Sequence, residues 1–318
     1  MDISMRCAAA ALAVVLAAAL AQAQDYPSRF IRVIVGPGPD IPARLFGPKI
    51  TQVLGQQVVI EPRPGAGGVI AAQTVATAPA DGYTLLLATA SYTINTALQT
   101  LPYDIRQDFA PVALATTSPF ILVVHPSVPA GNLQELIALA RSRPGQLNYA
   151  SSGIGTPPHL AGELFKAMAA VEIVHVPFRE ANSALNAVVS GAVQLTFSIA
   201  SAAQPQIAAG TVRGLAVTSL HASPLVPELS SVAEAGLRGF EVVGWNGFVA
   251  PAGTPAPVVG KLNAAITLGL DDGDLGRRLE AAGYQLASHN TPEEFAAFIK
   301  ADTDKWIGLV EKTKMRVK

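Results

Sequence analysis

The chain of 318 residues has a single cysteine, Cys7, and it lies in an apolar N-terminal stretch. Everything beyond it lacks a thiol, which excludes disulfides, thiol catalysis and zinc–thiolate centres there. Charge is equally scarce. Asp, Glu, Lys and Arg make up 14% of the residues and the net charge is −1, whereas an average domain is about one quarter charged. With no basic stripe, the composition argues against a nucleic-acid partner. Half of the residues are hydrophobic, mostly Ala, Val and Leu. Beyond the N-terminal stretch none of them forms a second run of ~18 apolar residues, so they read as buried α/β core and not as membrane spans.

The N-terminal stretch reads as a leader. One cation, Arg6, precedes an apolar run from Cys7 to Leu20, and Ala21-Gln22-Ala23 is an A-x-A cleavage pattern. The run falls short of the ~20 apolar residues of a comfortable span, so residues 1–23 are expected to be a signal peptide of a secreted protein. Cys7 has no apolar run before it and does not suit lipid attachment. The remaining chain can bury a large core and is long enough that two domains are the default expectation.

Short β-branched or Leu-rich runs alternate with Ala-rich stretches. Strands are expected at residues 30–35, 57–60 and 83–88, with helices at 42–54 and 68–78 between them. A β-α-β-α-β series signals a parallel sheet covered by helices. Two apolar runs, 112–115 and 120–124, then occur with no helix between them, which suits an extended crossover into a second domain. There the alternation restarts: helices at 133–142, 157–169 and 181–190, strands at 147–150, 173–176, 193–197 and 212–217. The chain is expected to cross back after Thr218, into a strand at 241–250, helices at 257–270 and 275–282, and a short strand at 284–287. Thr291 caps a last helix with Pro292 at its first position. The expected division is residues 24–122 plus 220–318 for one domain and 123–219 for the other.

Several motifs stand in order along the chain: Asp40-Ile41-Pro42-Ala43-Arg44, Glu61-Pro62-Arg63-Pro64-Gly65-Ala66-Gly67-Gly68, Asp81-Gly82-Tyr83-Thr84-Leu85-Leu86, Tyr149-Ala150-Ser151-Ser152-Gly153-Ile154-Gly155-Thr156-Pro157-Pro158-His159, His175-Val176-Pro177-Phe178-Arg179 and Ala250-Pro251-Ala252-Gly253-Thr254-Pro255. Together they resemble the Bug (TctC-like) family of substrate-binding subunits of tripartite tricarboxylate transporters, from about Tyr26 to near the C-terminus. The resemblance implies a periplasmic, two-domain α/β protein of the Venus-flytrap kind. Such a protein grips a small carboxylate with backbone amides, hydroxyls and waters, needs no metal or cofactor, and delivers it to membrane permease subunits. Monomer is the default for that architecture. Three departures bear on ligand preference: a first loop that is short and carries two prolines, Glu180 where the family has Gly, and Ser198 where it often has Asp.

Clefts between two α/β domains collect strand ends and helix N-termini, where free N–H groups and the helix dipole favour anions. The candidate site follows. Gly36, Pro37, Gly38, Pro39 and Asp40, with Thr89 and Ser91, would hold one side. Ser151, Ser152, Gly153, Gly155, Thr156, His159, Phe178, Arg179, Glu180, Ala181 and Ser198 would hold the other. Each has an ordinary alternative: a tight turn for the glycines, an N-cap for the hydroxyls, a solvated charge for Arg179, a packed helix-start residue for His159. Trp245 and Phe248 read as core. The five histidines show no metal-ligand spacing. No dinucleotide fingerprint, phosphate loop or G-x-S-x-G elbow is present, so no catalytic residue is expected. Ser151 and Ser152 near His159 leave a hydrolase as a remote alternative. Glu180 raises an amino acid or amide as an alternative ligand, and a ligand-presenting sensor or adaptor is an alternative role.

Overall fold

The computed structural model describes residues 26–313 except 37–39, 64, 66 and 67. The leader assigned to residues 1–23, and Pro37, Gly38 and Pro39 of the candidate site, lie outside the described residues.

In β1 (Ile31–Val35), Ile31, Val33 and Val35 are buried on one side of a sheet and Ile34 on the other. Side chains alternate across a strand, so buried apolar residues on both sides mark a strand covered on both faces, with Arg32 alone part-exposed and paired with Glu61. β1 pairs in parallel with β2 (Val58–Pro62) and β3 (Thr84–Thr89). Helices α1 (Ile41–Leu54) and α2 (Val69–Ala76) connect them. α1 has Pro in its first turn and stops at Gly55, whose left-handed backbone (φ 70°) lets its N–H reach the Thr51 carbonyl. A third helix, α3 (Ala90–Leu98), leaves β3 without a loop.

The two apolar runs expected to flank a crossover are one strand, β4 (Phe109–Val124), of 16 residues. Up to Pro119 it pairs antiparallel with β9 (Val243–Pro251), and at Thr116 and Thr117 with β10 (Gln285–Leu286). From Phe120 on it pairs with β7 (Leu195–Ile199) and β8 (Arg213–Val217). One strand therefore serves two sheets. The first runs β2-β1-β3-β9-β4; the second runs β4-β7-β5-β6, with β5 (Asn148–Ser151) and β6 (Val174–Pro177) parallel to each other. Helices α4 (Leu133–Ser142), α5 (Pro157–Ala169), α6 (Ala181–Val189) and α7 (Ala200–Ala208) belong to the second lobe. Helices α8 (Ala256–Leu270), α9 (Gly273–Ala281) and α10 (Pro292–Thr313) follow β9.

Burial follows the pleat through both lobes. Ile121 and Val123 of β4 enter one core cluster with Leu185, Val188 and Val217, while Phe120, Leu122 and Val124 enter another. That second cluster is continuous from Ile34 and Leu86 in the first lobe to Phe165 and Phe197 in the second. Residues 220–242, expected with the first domain, pack on the second sheet. Val232 N–H donates to Val217 O at 2.8 Å, and Phe240 stacks on Phe197 at 6.4 Å. The chain returns to the first sheet at Val243, where β9 begins.

Candidate ligand-binding cleft

A cavity of about 640 Å³ opens where the two sheets meet, within the ~300–1,000 Å³ usual for small-molecule sites. The strands that pass between the lobes contribute Ser118 and Phe120 from β4 and Gly244, Trp245 and Asn246 from β9. Gly244 leaves room for the Ser118 hydroxyl, which would have to turn away from a Cβ there, at 2.6 Å. Asn246 is held by its amide, which donates to Thr116 Oγ1 at 3.0 Å. Trp245 gives its edge to the core: its ring packs edge-on against Phe295 and Phe298, and Nε1 donates to the buried Asp302 at 3.0 Å.

Four helices begin on the cavity wall. α3 starts behind Thr89, α5 behind Thr156, α6 behind Glu180 and α7 behind Ile199, and all four of these residues line the cavity. None of the four caps its helix with a side chain. The first N–H groups of a helix have no partner within it, and the macrodipole adds a partial positive charge. Thr156 Oγ1 is spent on the Gly153 carbonyl at 2.7 Å. Thr89 Oγ1 is buried and has no hydrogen-bond partner among the described residues. Among the described residues, Arg179 and Glu180 are the only charged ones on the wall.

The lobes touch on both sides of the cavity. Gly155 (φ +78°) lies against α3, where an added Cβ would meet Asn95 Oδ1 at 3.2 Å and Leu98 Cδ1 at 3.3 Å. Gly283 (φ +83°) lies against α7, where a Cβ would meet Ser201 Oγ at 2.7 Å. Glycine serves both contacts, since it adopts positive φ freely and adds no side chain.

The model of the tripartite tricarboxylate transporter family receptor, TctC, matches residues 43–315. The chain belongs to the TctC family. A UPF0065 protein from the tcbD-tcbE intergenic region of a Pseudomonas species is 39% identical over 94% of this chain and 91% of its own length. Among solved structures, R. palustris Rpa4515 with adipate matches with a TM-score of 0.80 at 33% identity, over 92% of this chain and 99% of that one. The periplasmic binding protein BugD matches with a TM-score of 0.78 at 31% identity, over 92% of this chain and 100% of that one. MatC from Rhodopseudomonas palustris with bound malate matches with a TM-score of 0.76 at 34% identity, over 90% of this chain and 100% of that one. TctC proteins are solute-binding receptors, and the two-lobed α/β fold described here is theirs.

Within this TctC fold, the structure brings Thr89, Ser91, Ser152, Thr156, Arg179, Glu180, Ala181 and Ser198 onto one cavity wall. The other described candidates stand behind or beside it. Gly36 abuts Tyr92, whose hydroxyl would be 2.2 Å from a Cβ there, so its missing side chain accommodates a neighbour in the core. Asp40 pairs with Arg44 in α1. Ser151 is fully buried; its hydroxyl bonds His175 Nε2 at 2.6 Å and accepts from Gly153 N–H at 3.1 Å. His159 is buried, and its Nδ1 accepts from Gly155 N–H at 3.3 Å. Phe178 packs against the second-lobe core, and its N–H donates to Ser151 O at 2.9 Å.

These residues form a layer behind the wall. His175 is stacked on Tyr149 at 4.8 Å and lies 4.3 Å from the His159 ring. Burial, then the neighbouring His159, pushes His175 down to about 4, and burial also lowers His159. Both rings are therefore neutral at pH 7, which suits an Nδ1 that accepts from Gly155. The Tyr149 hydroxyl donates to Glu163 at 2.7 Å, and Glu163 pairs with Lys166. The layer fixes the backbone between Ser151 and Thr156, and so the start of α5.

Two of the four helix starts were missed from sequence. α3 reads Ala-Ser-Tyr-Thr-Ile-Asn-Thr-Ala-Leu, rich in β-branched and short polar residues of low helix propensity. α7 carries Pro205 inside it, an ordinary helix breaker. Ser118, Asn182, Thr196, Asn246 and Tyr284 were missed as well. Asn182 follows Ala181 in the first turn of α6, while the others reach the cavity from strands and lobe contact, for which local sequence has no signal.

Proposed function

We propose that this TctC receptor captures a small organic carboxylate between its lobes and hands it to the membrane subunits of a tripartite transporter. The observation that carries the reading is the convergence of four helix starts without side-chain caps on one cavity, beside a buried Thr89 hydroxyl that lacks a partner. Oriented amides and helix dipoles are a ready-made anion site. Adipate and malate in the cited neighbours are of the same chemical class. The ligand would bridge Thr89 and Ser91 on one side and Ser152, Thr156, Arg179 and Ser198 on the other. It would favour the closed form by contacts that only this form offers.

In this reading the lobes are residues 26–119 with 243–313, and residues 120–242. The protein acts in the periplasm after removal of residues 1–23, as a monomer without cofactor, and does no chemistry on its ligand. A Ser–His pair exists in Ser151 and His175, but its hydroxyl is fully buried behind the wall. Among the described residues no helix is long and apolar enough to cross a membrane. The test is a thermal-shift screen of organic acids on the protein lacking residues 1–23, followed by calorimetry. A ligand that binds only the folded state raises its stability by about 2.7 kcal/mol at one hundred times Kd. At least one carboxylate should raise Tm while its amide does not. A screen in which only uncharged solutes raise Tm would sink the carboxylate reading.

A further inference from the structure

We infer that Arg179 and Glu180 act as a paired reader that selects an amino acid, with a carboxylate and an adjacent ammonium, over the plain acid of the same length. The inference rests on the carboxylate reading above and adds the ligand's second charge.

The two residues are neighbours of opposite sign, both exposed, and no other charged residue among those described lines the cavity. Neither forms an ion pair with any described residue, and they do not pair with each other. Glu180 is at the N-cap of α6, yet it uses only its main-chain carbonyl there, accepting from Ala184 N–H at 3.2 Å. Three other glutamates, each three residues past the residue that opens its turn, fold back onto the backbone, a bond that the N-cap position of Glu180 does not offer. Glu135 accepts from Gly131 N–H at 2.6 Å, Glu234 from Ser231 N–H at 3.1 Å, and Glu294 from Thr291 N–H at 2.8 Å. The Glu180 carboxylate has no hydrogen bond or ion pair among the described residues, and Glu180 lines the cavity.

Its position is fixed by the layer behind the wall. Phe178 N–H binds Ser151 O, so Arg179 and Glu180 leave β6 beside Ser152 and the start of α5. A carboxylate seated on that helix start has the guanidinium as a further donor and places the next carbon's substituent near Glu180. A plain dicarboxylate gains from Arg179 and is repelled by Glu180, a side-chain sum of zero. An α-ammonium turns that repulsion into a charge-assisted hydrogen bond.

The experiment is titration calorimetry on the protein lacking residues 1–23, with succinate against aspartate and glutarate against glutamate. Each pair differs by one ammonium group. The expected result is an amino acid bound about tenfold or more tightly than its plain partner, one charge-assisted hydrogen bond's worth. Glu180→Gln should shrink that ratio to about threefold or less, by weakening the amino acid and strengthening the diacid. Arg179→Gln should weaken both members alike. Glu180 is exposed at a helix start, and equal Tm of variant and parent verifies that folding is intact. Equal or reversed binding within each pair, or a ratio that Glu180→Gln leaves unchanged, overturns the inference while carboxylate capture stands. If neither member of either pair binds, the inference is overturned too, and the organic-acid screen decides carboxylate capture by itself.

Discussion

Helices that begin at the cavity differ from helices that begin on the outer surface. Asn132 closes α4 by accepting from Glu135 N–H at 2.9 Å, and Asp272 closes α9 by accepting from Asp274 and Leu275. Thr291 and Glu294 close α10 reciprocally, at 3.2 and 2.8 Å. At the cavity, α3, α5, α6 and α7 have no side-chain cap. α1, α2 and α8 also start uncapped, but behind Asp40, whose carboxylate goes to Arg44, and behind Gly68 and Pro255. Among the described residues, side chains thus close three of the six helix starts away from the cavity and none of the four on it, which are left to solvent or ligand. Caps outside should govern stability, and groups inside should govern affinity.

The largest effect should come where an inner helix start is braced from behind. Asp302, buried in α10, accepts from Thr93 of α3 at 2.6 Å and from Trp245 of β9 at 3.0 Å, and pairs with Lys305. Asp302→Ala leaves Trp245 Nε1 buried without its acceptor and Thr93 with the Ala90 carbonyl alone, which should cost about 3 kcal/mol. Urea unfolding measures it. Affinity should fall as well, because Thr93 anchors the helix that starts at Thr89. A variant with wild-type stability would show that α3 needs no brace.

Next in size is Thr89. Its hydroxyl has no partner to lose, so Thr89→Ala should leave stability within about 0.5 kcal/mol of wild type. Ligand affinity should drop about tenfold, the value of one hydrogen bond of ~1.4 kcal/mol, and Thr89→Ser should restore it. Reduced stability with unchanged affinity would reverse the proposed division between inner and outer starts.

Much of this organisation was legible in the chain. The run 120–124 is apolar at every position because both faces of its strand are covered, and such a run is visible without a structure. The Ser- and Gly-rich turn before Pro157-Pro158 announced the start of α5. Other features were not legible. The start of α3 carries Thr, Ser and Asn, which suit turns as well as a first turn of helix. Ser151 and Ser152 look equivalent in sequence, but the pleat turns Ser151 inward to His175 and leaves Ser152 on the wall. Just before the return crossing at Val243, Phe240 stacks on Phe197, a contact between distant residues that no local pattern encodes.

A smaller effect tests the outer caps. Asn132→Ala removes the side-chain acceptor of Glu135 N–H and should cost about 1 kcal/mol of stability. Affinity should not change, since α4 does not reach the cavity. Urea midpoints with calorimetry on the same sample check both halves. A loss of affinity there would tie the outer caps to the binding site.

The smallest effect vanishes at neutral pH and concerns the layer behind the inner wall. His175 and His159 are both held below their ordinary value by burial, His175 at about 4. Above pH ~6.5, the unperturbed histidine value, both rings are neutral folded or unfolded, and their contribution is fully present. As pH falls below that value the unfolded chain takes up protons that the folded protein refuses. Stability therefore declines from about 6.5 downward and is lost as pH passes through about 4. The range between about 6.5 and 5 is the cleanest, because ordinary carboxylates have not yet titrated there. His175→Phe keeps a ring against Tyr149 but removes a proton site, so its Tm should fall less steeply with pH across that range. Holo-protein should show the same decline as apo-protein, because these rings brace the start of α5 without lining the cavity. An unchanged slope in His175→Phe would mean that the buried pair does not set this pH response. The cavity-side start of α5 would then be held by Thr156, Gly153 and their backbone bonds alone.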